Sequence, residues 1–408
     1  MIIIHHVDTL PRLAAAAVAG AARAMPVVVI SGARQTGKST LARAVDPDRA
    51  YFTLDDLDVL DQARTDPEAL VRRAARVTLD EIQRQPDLLL AIKREVDRKR
   101  QRGRFLLTGS ANLLLLEKVS ETLAGRATYI SLWPMTRREQ LGRGRCGLWP
   151  ELFAAPDHEW REVLAAHSEP PEDWRELARR GGYPTPALEL EHAARDRWFA
   201  GYTQTYLERD LQQVSLISNL PDLRRLMRAV CLRLGQMMNQ TELGRDVALP
   251  QPTIHRWLNV LEVSYQLVRL PAYAVNRTKR LIKAPKLYWS DTGLALHLVN
   301  GEATGPHLEN VVLNDLLAWR DTALRRPEVS YWRTAAGEEI DFVLELDGAL
   351  LPIEIKASDR PRTNDIKHLL AFREEYGKRS RAGLLLHTGT TVEWLSPGVL
   401  AAPWWAVV

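Results

Sequence analysis

The sequence predicts a multidomain α/β protein. A glycine-bounded loop, Gly32-Ala33-Arg34-Gln35-Thr36-Gly37-Lys38-Ser39, joins the apolar run Val27-Val28-Val29-Ile30 to the helix-like Leu41-Ala42-Arg43-Ala44. Apolar strands with polar ends follow at 51–54, 77–81 and 104–110, the pattern of a parallel sheet with helical crossovers. Far downstream, apolar runs at 340–346 and 349–356 flank Asp347-Gly348, a strong hairpin signal. At 408 residues the chain exceeds what one core organises, so several domains are expected.

Composition narrows the class. With 46% hydrophobic and 26% charged residues the chain is an ordinary globular protein. Its isoelectric point is near 9.0, yet 55 basic residues face 51 acidic ones, so any nucleic-acid surface must be local. Cys146 and Cys231 lack CxxC spacing, which argues against a disulfide framework and a zinc site and suits a reducing cytoplasm. The start has no charged n-region, and the alanine-rich run after Leu13 is interrupted by Arg23, so neither a signal peptide nor a membrane span is expected.

Strand, glycine loop and helix together form the P-loop pattern. Gly32, Ala33, Arg34, Gln35, Thr36, Gly37, Lys38, Ser39 and Thr40 are the expected cradle for a nucleoside triphosphate, read as ATP. The glycines let backbone N–H groups curl inward, Lys38 reaches the β- and γ-phosphates, and Ser39 is suited to ligate Mg²⁺. The alternative is a chance glycine turn. Val77-Thr78-Leu79-Asp80-Glu81 reads as a Walker B strand, with Asp80 holding Mg²⁺ through water and Glu81 polarising the attacking water; the bland reading is a cap for the helix beginning near Pro86. Thr108 or Ser110, at the end of the next strand, is either a γ-phosphate sensor or a strand-to-helix cap. Arg126 precedes a strand at 128–132; it either reaches a phosphate in this or a neighbouring subunit, which leaves a homo-oligomer open, or is a surface arginine.

The set GARQTGKS, LDEIQ, LLTGSAN, LAGR and Ser131-Leu132-Trp133-Pro134-Met135-Thr136 resembles a large prokaryotic family of AAA-type ATPases in which the ATPase domain precedes a conserved domain of unknown function. The resemblance continues through Gly181-Gly182-Tyr183-Pro184, Tyr206-Leu207-Glu208-Arg209-Asp210, Lys286-Leu287-Tyr288-Trp289-Ser290-Asp291-Thr292-Gly293-Leu294 and Ile353-Glu354-Ile355-Lys356, so it spans nearly the whole chain. It implies an AAA-type ATPase domain at 1–140. Residues 142–180, rich in Trp, Glu and Pro, depart from the family pattern and read as a helical insertion within a connector at 141–215.

For residues 216–295 the pattern predicts a winged helix-turn-helix. Apolar positions recur at helical spacing over 222–235, closed by Gly235; Asn239 caps a second helix at 241–247; Pro252 opens a third, and strands follow at 265–270 and 286–289. Thr253, His255, Arg256 and Asn259 would face DNA, with Arg277, Lys279, Arg280 and Lys283 on the wing. Packing modules beside AAA-type domains use the same fold, so DNA contact and a purely structural role both stand.

Residues 296–408 carry a second site. If Asp347-Gly348 is a two-residue turn, Leu346 pairs with Ala349, and counting outward sets Asp341 opposite Glu354. Paired carboxylates on one face repel unless neutralised, and a divalent cation would do so. Lys356 shares that face, Glu309 on a helix at 308–319 is placed to complete the cluster, and Pro352 threatens a bulge. The constellation looks like the PD-(D/E)xK nuclease motif. That resemblance implies a restriction-endonuclease-like α/β fold, metal ligands Asp341, Glu354 and Glu309, and a catalytic Lys356. The competing reading is a solvated sheet face laced with salt bridges. Two classes of function follow: an ATPase acting on nucleic acid with metal-dependent cleavage, and a nucleotide-dependent switch that binds protein and never cuts. The tryptophans, including Trp133, Trp149, Trp160, Trp174, Trp198, Trp404 and Trp405, are expected in cores or interfaces.

Overall fold

The computed structural model describes residues 10–109, 122–167, 169–207, 219–276 and 283–408. Ser110, the wing residues Arg277, Lys279 and Arg280, and the motif residues Glu208, Arg209 and Asp210 lie outside them. Five parallel strands form the N-terminal sheet: β1 (Val27–Ser31), β2 (Ala50–Thr53), β3 (Val77–Asp80), β4 (Phe105–Thr108) and β5 (Ala127–Ser131), in the order β2-β3-β4-β1-β5. β1, β3 and β4 are buried throughout, as near-continuous apolar runs in a doubly covered parallel sheet require. Placing β4 between β1 and β3 brings three strand ends together at one edge. The segment between β2 and β3 is two helices, Leu57–Thr65 and Pro67–Arg72. Asp66 divides them, its side chain capping the second through Ala69 N.

The middle of the chain is helical. Asn219 and Asn239 cap the helices Leu220–Cys231 and Gln240–Val247, and Gln251–Val263 begins with Pro252 in its first turn. The first of these stops short of the expected Gly235, whose positive φ of 73° turns the chain so that its N–H donates to Leu287 O at 2.8 Å. β6 (Leu267–Leu270) then pairs antiparallel with β7 (Lys286–Trp289). Among the described residues no helix is long and apolar enough to cross a membrane.

The C-terminal domain is a mixed sheet of β8 (Glu328–Arg333), β9 (Glu339–Leu346), β10 (Ala349–Lys356), β11 (Gly383–His387), β12 (Glu393–Ser396) and β13 (Val399–Pro403), ordered β12-β13-β11-β10-β9-β8. The helix Gly305–Thr322 covers one face and Lys367–Tyr376 the other, each packing into a separate core. Pro352 makes no bulge: it pairs with Val343 in unbroken register, and the ladder to β11 begins one residue later at Ile353.

The segment expected to be a helical insertion contributes to this C-terminal core. Its helices Trp149–Ala154, Trp160–Ala166 and Trp174–Arg180 bury Trp149, Trp160 and Trp174 against side chains of the mixed sheet and the long helix. Trp149 Nε1 and Gly147 N donate to Asp315 Oδ2 at 2.5 and 2.8 Å, and Arg381 Nε donates to Asp157 Oδ1 at 2.5 Å. Trp133 and Trp404 are buried in the same core.

Candidate functional site

The loop after β1 has the backbone of an anion cradle. Gly32, Gln35 and Gly37 take positive φ values of 150°, 63° and 90°, and Gly37 is the cap residue of the helix Lys38–Val45. The first-turn amides of that helix have no intrahelical acceptors and carry the positive end of its dipole. Lys38 is buried, and its Nζ donates to Gly32 O at 3.2 Å and Ala33 O at 2.6 Å. Ser39 Oγ donates to Asp80 Oδ1 at 2.9 Å, joining the loop to the end of β3. Thr108 Oγ1, at the end of β4, donates to the same Asp80 oxygen and receives Glu81 N at 3.4 Å.

Glu81 holds a left-handed conformation, φ 58°, which a non-glycine residue adopts only under constraint. Burial pushes its carboxyl up from the ordinary range, Lys38 opposes that shift, and Gln83 Nε2 donates to it. The sequence did not disclose three side chains that support this edge. Tyr51 donates to Asp80 Oδ2 at 2.6 Å, and burial, then Asp80, raises its hydroxyl to about 12. Arg12 donates to Thr36 O and Trp133 O, each at 2.8 Å, and to Glu139 Oε1 at 3.0 Å, bracing the loop from behind. Tyr265, from the middle of the chain, lies 2.8 Å from Ser31 Oγ and 3.2 Å from Ser131 Oγ. The signal available for Tyr51 was its place on a strand flanking β3; Arg12 and Tyr265 come from distant segments and left none.

Arg126 lies elsewhere. It precedes β5, so it sits at the N-terminal edge of a parallel sheet whose C-terminal edge carries the loop. Its guanidinium grips Asp97 at 2.6 and 3.0 Å, and the pairing raises the arginine while lowering the aspartate. Arg126→Ala is therefore expected to leave ATP turnover close to wild type; a large loss in a steady-state phosphate-release assay would mean that it serves a neighbouring subunit's site.

The second expected cluster lies where β7, β9, β10 and the helix Gly305–Thr322 meet. Leu346 pairs with Ala349 and the register runs unbroken to Phe342 opposite Ile353, which leaves Asp341 and Glu354 as the next positions outward. Asp341 Oδ2 accepts from Ile355 N at 2.9 Å, and Lys356 Nζ donates to Glu354 Oε1 at 2.6 Å. Glu354 Oε2 is buried without a hydrogen-bond partner. Glu309 takes the Tyr288 hydroxyl at 2.8 Å. Burial, then Asp341, pushes both Glu309 and Glu354 up to about 8. Among the described residues no three His, Cys, Asp or Glu side chains are gathered tightly enough to hold a metal ion. Lys286 was not anticipated from the sequence. Its Nζ lies 2.5 Å from Glu339 Oε1 and 3.5 Å from Asp341 Oδ1. Burial alone would lower that ammonium, but Asp341, Glu309 and Glu339 more than offset it.

A parallel sheet, a glycine loop running into a helix, and a serine–aspartate link across its edge define a P-loop domain of AAA type. Residues 24–141 match the AAA domain family, 171–304 a domain of unknown function (DUF8612) and 304–407 another (DUF4143). The chain belongs to a family of AAA-domain proteins that includes the uncharacterized protein Rv2008c of Mycobacterium tuberculosis, to which it is 32% identical over 361 residues, 86% of this chain and 74% of that one. Mb2031c of Mycobacterium bovis matches equally, at 32% over 361 residues. The Walker-type ATPase PABY2304 of Pyrococcus abyssi overlaps 71% of this chain and 99% of its own, at 15% identity and a TM-score of 0.40, too loosely to add to the family match.

Proposed function

We propose that this chain binds and hydrolyses ATP and passes its nucleotide state to a nucleic-acid-directed C-terminal half. The observation that carries the ATPase reading is the convergence of Ser39, Asp80 and Thr108 on one edge of the sheet. Lys38 and the loop amides would bind the phosphates, Ser39 and Asp80 would hold Mg²⁺, and Glu81 would orient and deprotonate the attacking water. Bound Mg²⁺ would neutralise charge on the β- and γ-phosphates. Thr108 keeps Asp80 in place and touches the Glu81 amide, so it is suited to report on the γ-phosphate.

The three helices and the β6–β7 pair fit a winged helix-turn-helix. His255 and Arg256 are exposed on Gln251–Val263, Thr253 and Asn259 are half-buried on the same helix, and Lys283 is exposed beside β7. Such a surface suits phosphate and base contacts. The β9–β10 hairpin with Asp341, Glu354 and Lys356 fits a restriction-endonuclease-like domain. The buried, unpartnered Glu354 Oε2 favours a cation there, with Glu309, Asp341 and Glu354 as its holders. A second reading, a nucleotide-dependent switch that binds protein, is favoured by the ungathered state of those carboxylates.

One assay separates the two. DNA incubated with the full chain and Mn²⁺, with and without ATP, is expected to be nicked, and Glu354→Ala or Lys356→Ala is expected to stop it. If folded, ATP-hydrolysing protein cuts no nucleic acid, the switch reading stands.

A further inference from the structure

β7 runs along the seam between two cores, and its alternation divides its side chains between them. Leu287 and Trp289 pack into the middle of the chain. Tyr288 packs into the C-terminal core, and Lys286, two residues before it and on the same face, meets the carboxylates of β9. Lys286 is only 2% exposed, its Nζ stands 5.6 Å from the Tyr331 ring centre, and carboxylates lie ahead of it. Taking an ammonium out of water costs several kcal/mol unless paired charge repays it. The repayment comes from Glu339 and Asp341, with Glu309 held by the neighbouring Tyr288.

The cluster still holds one more carboxyl group than cations. Glu309, Glu339, Asp341 and Glu354 face Lys286, Lys356 and Arg333, whose Nη1 lies 3.1 Å from Glu339 Oε2. Glu354 keeps one buried oxygen with no partner. We propose that Lys286 is a tethered cation standing in for a divalent ion at Glu309, Asp341 and Glu354, so that metal enters only when β7 draws the ammonium away. The proposal rests on the metal-site reading of those three carboxylates and names how that site is regulated. It also fits their ungathered state, since the ammonium pairs with Glu339 and Asp341 and so does not draw Glu309 and Glu354 onto one centre.

The tether leads to the nucleotide edge. Tyr265, hydrogen-bonded to Ser31 and Ser131, lies two residues before β6, and Leu270 of β6 pairs with Lys286 of β7. A shift of this two-stranded unit that follows the loop moves the ammonium relative to Asp341. Coupling of this kind needs a discrete element that both sites bias, and the β6–β7 unit touches both.

The test measures Mn²⁺ binding by calorimetry to the full chain, with thermal melts confirming the fold of each variant. Lys286→Met is expected to bind Mn²⁺ about tenfold or more tightly than wild type. Lys286→Gln, which keeps a donor for Glu339 without the charge, is expected to show the same gain and serves if the methionine variant does not fold. Adding Glu354→Gln to either should erase the gain. Wild-type affinity in a folded Lys286 variant, with binding still dependent on Glu354, overturns the tethered-cation proposal and spares the metal site. Tight binding indifferent to Glu354→Gln overturns both.

Discussion

Lys38→Ala is expected to abolish ATP turnover while leaving the fold intact. The ammonium is the cation nearest the loop carbonyls of Gly32 and Ala33, at 3.2 and 2.6 Å, where an incoming phosphate would compete for it. Removing a preorganised group that stabilises charge developing in the transition state costs at least about a hundredfold in rate. Stability should change by only about 1 kcal/mol, because the two hydrogen-bond acceptors of Lys38 are carbonyls that water can satisfy once the side chain is gone. Steady-state phosphate release and a thermal melt check the two halves. Wild-type turnover in the variant would remove the nucleotide site from this loop.

Gly32→Ala is expected to destabilise the N-terminal domain by about 2–4 kcal/mol, from backbone strain and from overpacking together. Its φ of 150° is one that side chains rarely adopt, and an added Cβ would run into the Leu132 carbonyl oxygen. That backbone has little freedom to retreat, since Leu132 N donates to Ser31 O at 2.7 Å, closing the seam between β1 and β5. Gly125→Ala is the matched control: its φ is 70°, but nothing lies within 4 Å of the added carbon. It should cost only the strain, about 1 kcal/mol. Equal shifts in midpoint for the two variants, in thermal unfolding, would refute the clash.

The nucleotide edge was legible because its chemistry is local. Gly32, Gly37, Lys38 and Ser39 lie within one turn, and an apolar strand ending in Asp80-Glu81 carries its own signature. The hairpin register was legible for a related reason: once Asp347-Gly348 is the turn, Leu346 must meet Ala349 and every pair outward follows. Pro352 looked like an obstacle because the sequence does not say where the neighbouring ladder begins. Arg126 was open to two readings, since proximity to a strand in sequence does not tell which edge of a parallel sheet a residue reaches. Arg12 and Tyr265 were silent because each acts on a segment far from its own, while Tyr51 offered only its place on a strand flanking β3 and Lys286 only its place in a family motif. A lone tyrosine or lysine has no pattern until packing supplies its partner.

The tryptophan helices of residues 149–180 have a consequence for synthesis. They leave the ribosome long before the helix Gly305–Thr322 and β8–β13, yet their burial is complete only when those elements arrive. For that interval Trp149, Trp160 and Trp174 are an uncovered apolar surface on a growing chain, the kind of exposure that invites aggregation. Their partners are distant in sequence, so closure is slow as well as late. The ATPase sheet is complete once β5 emerges, before any of this. The first part to work is thus held beside a half-built neighbour, and a ribosome stalled in the C-terminal strands would release a folded nucleotide domain attached to an open hydrophobic wound.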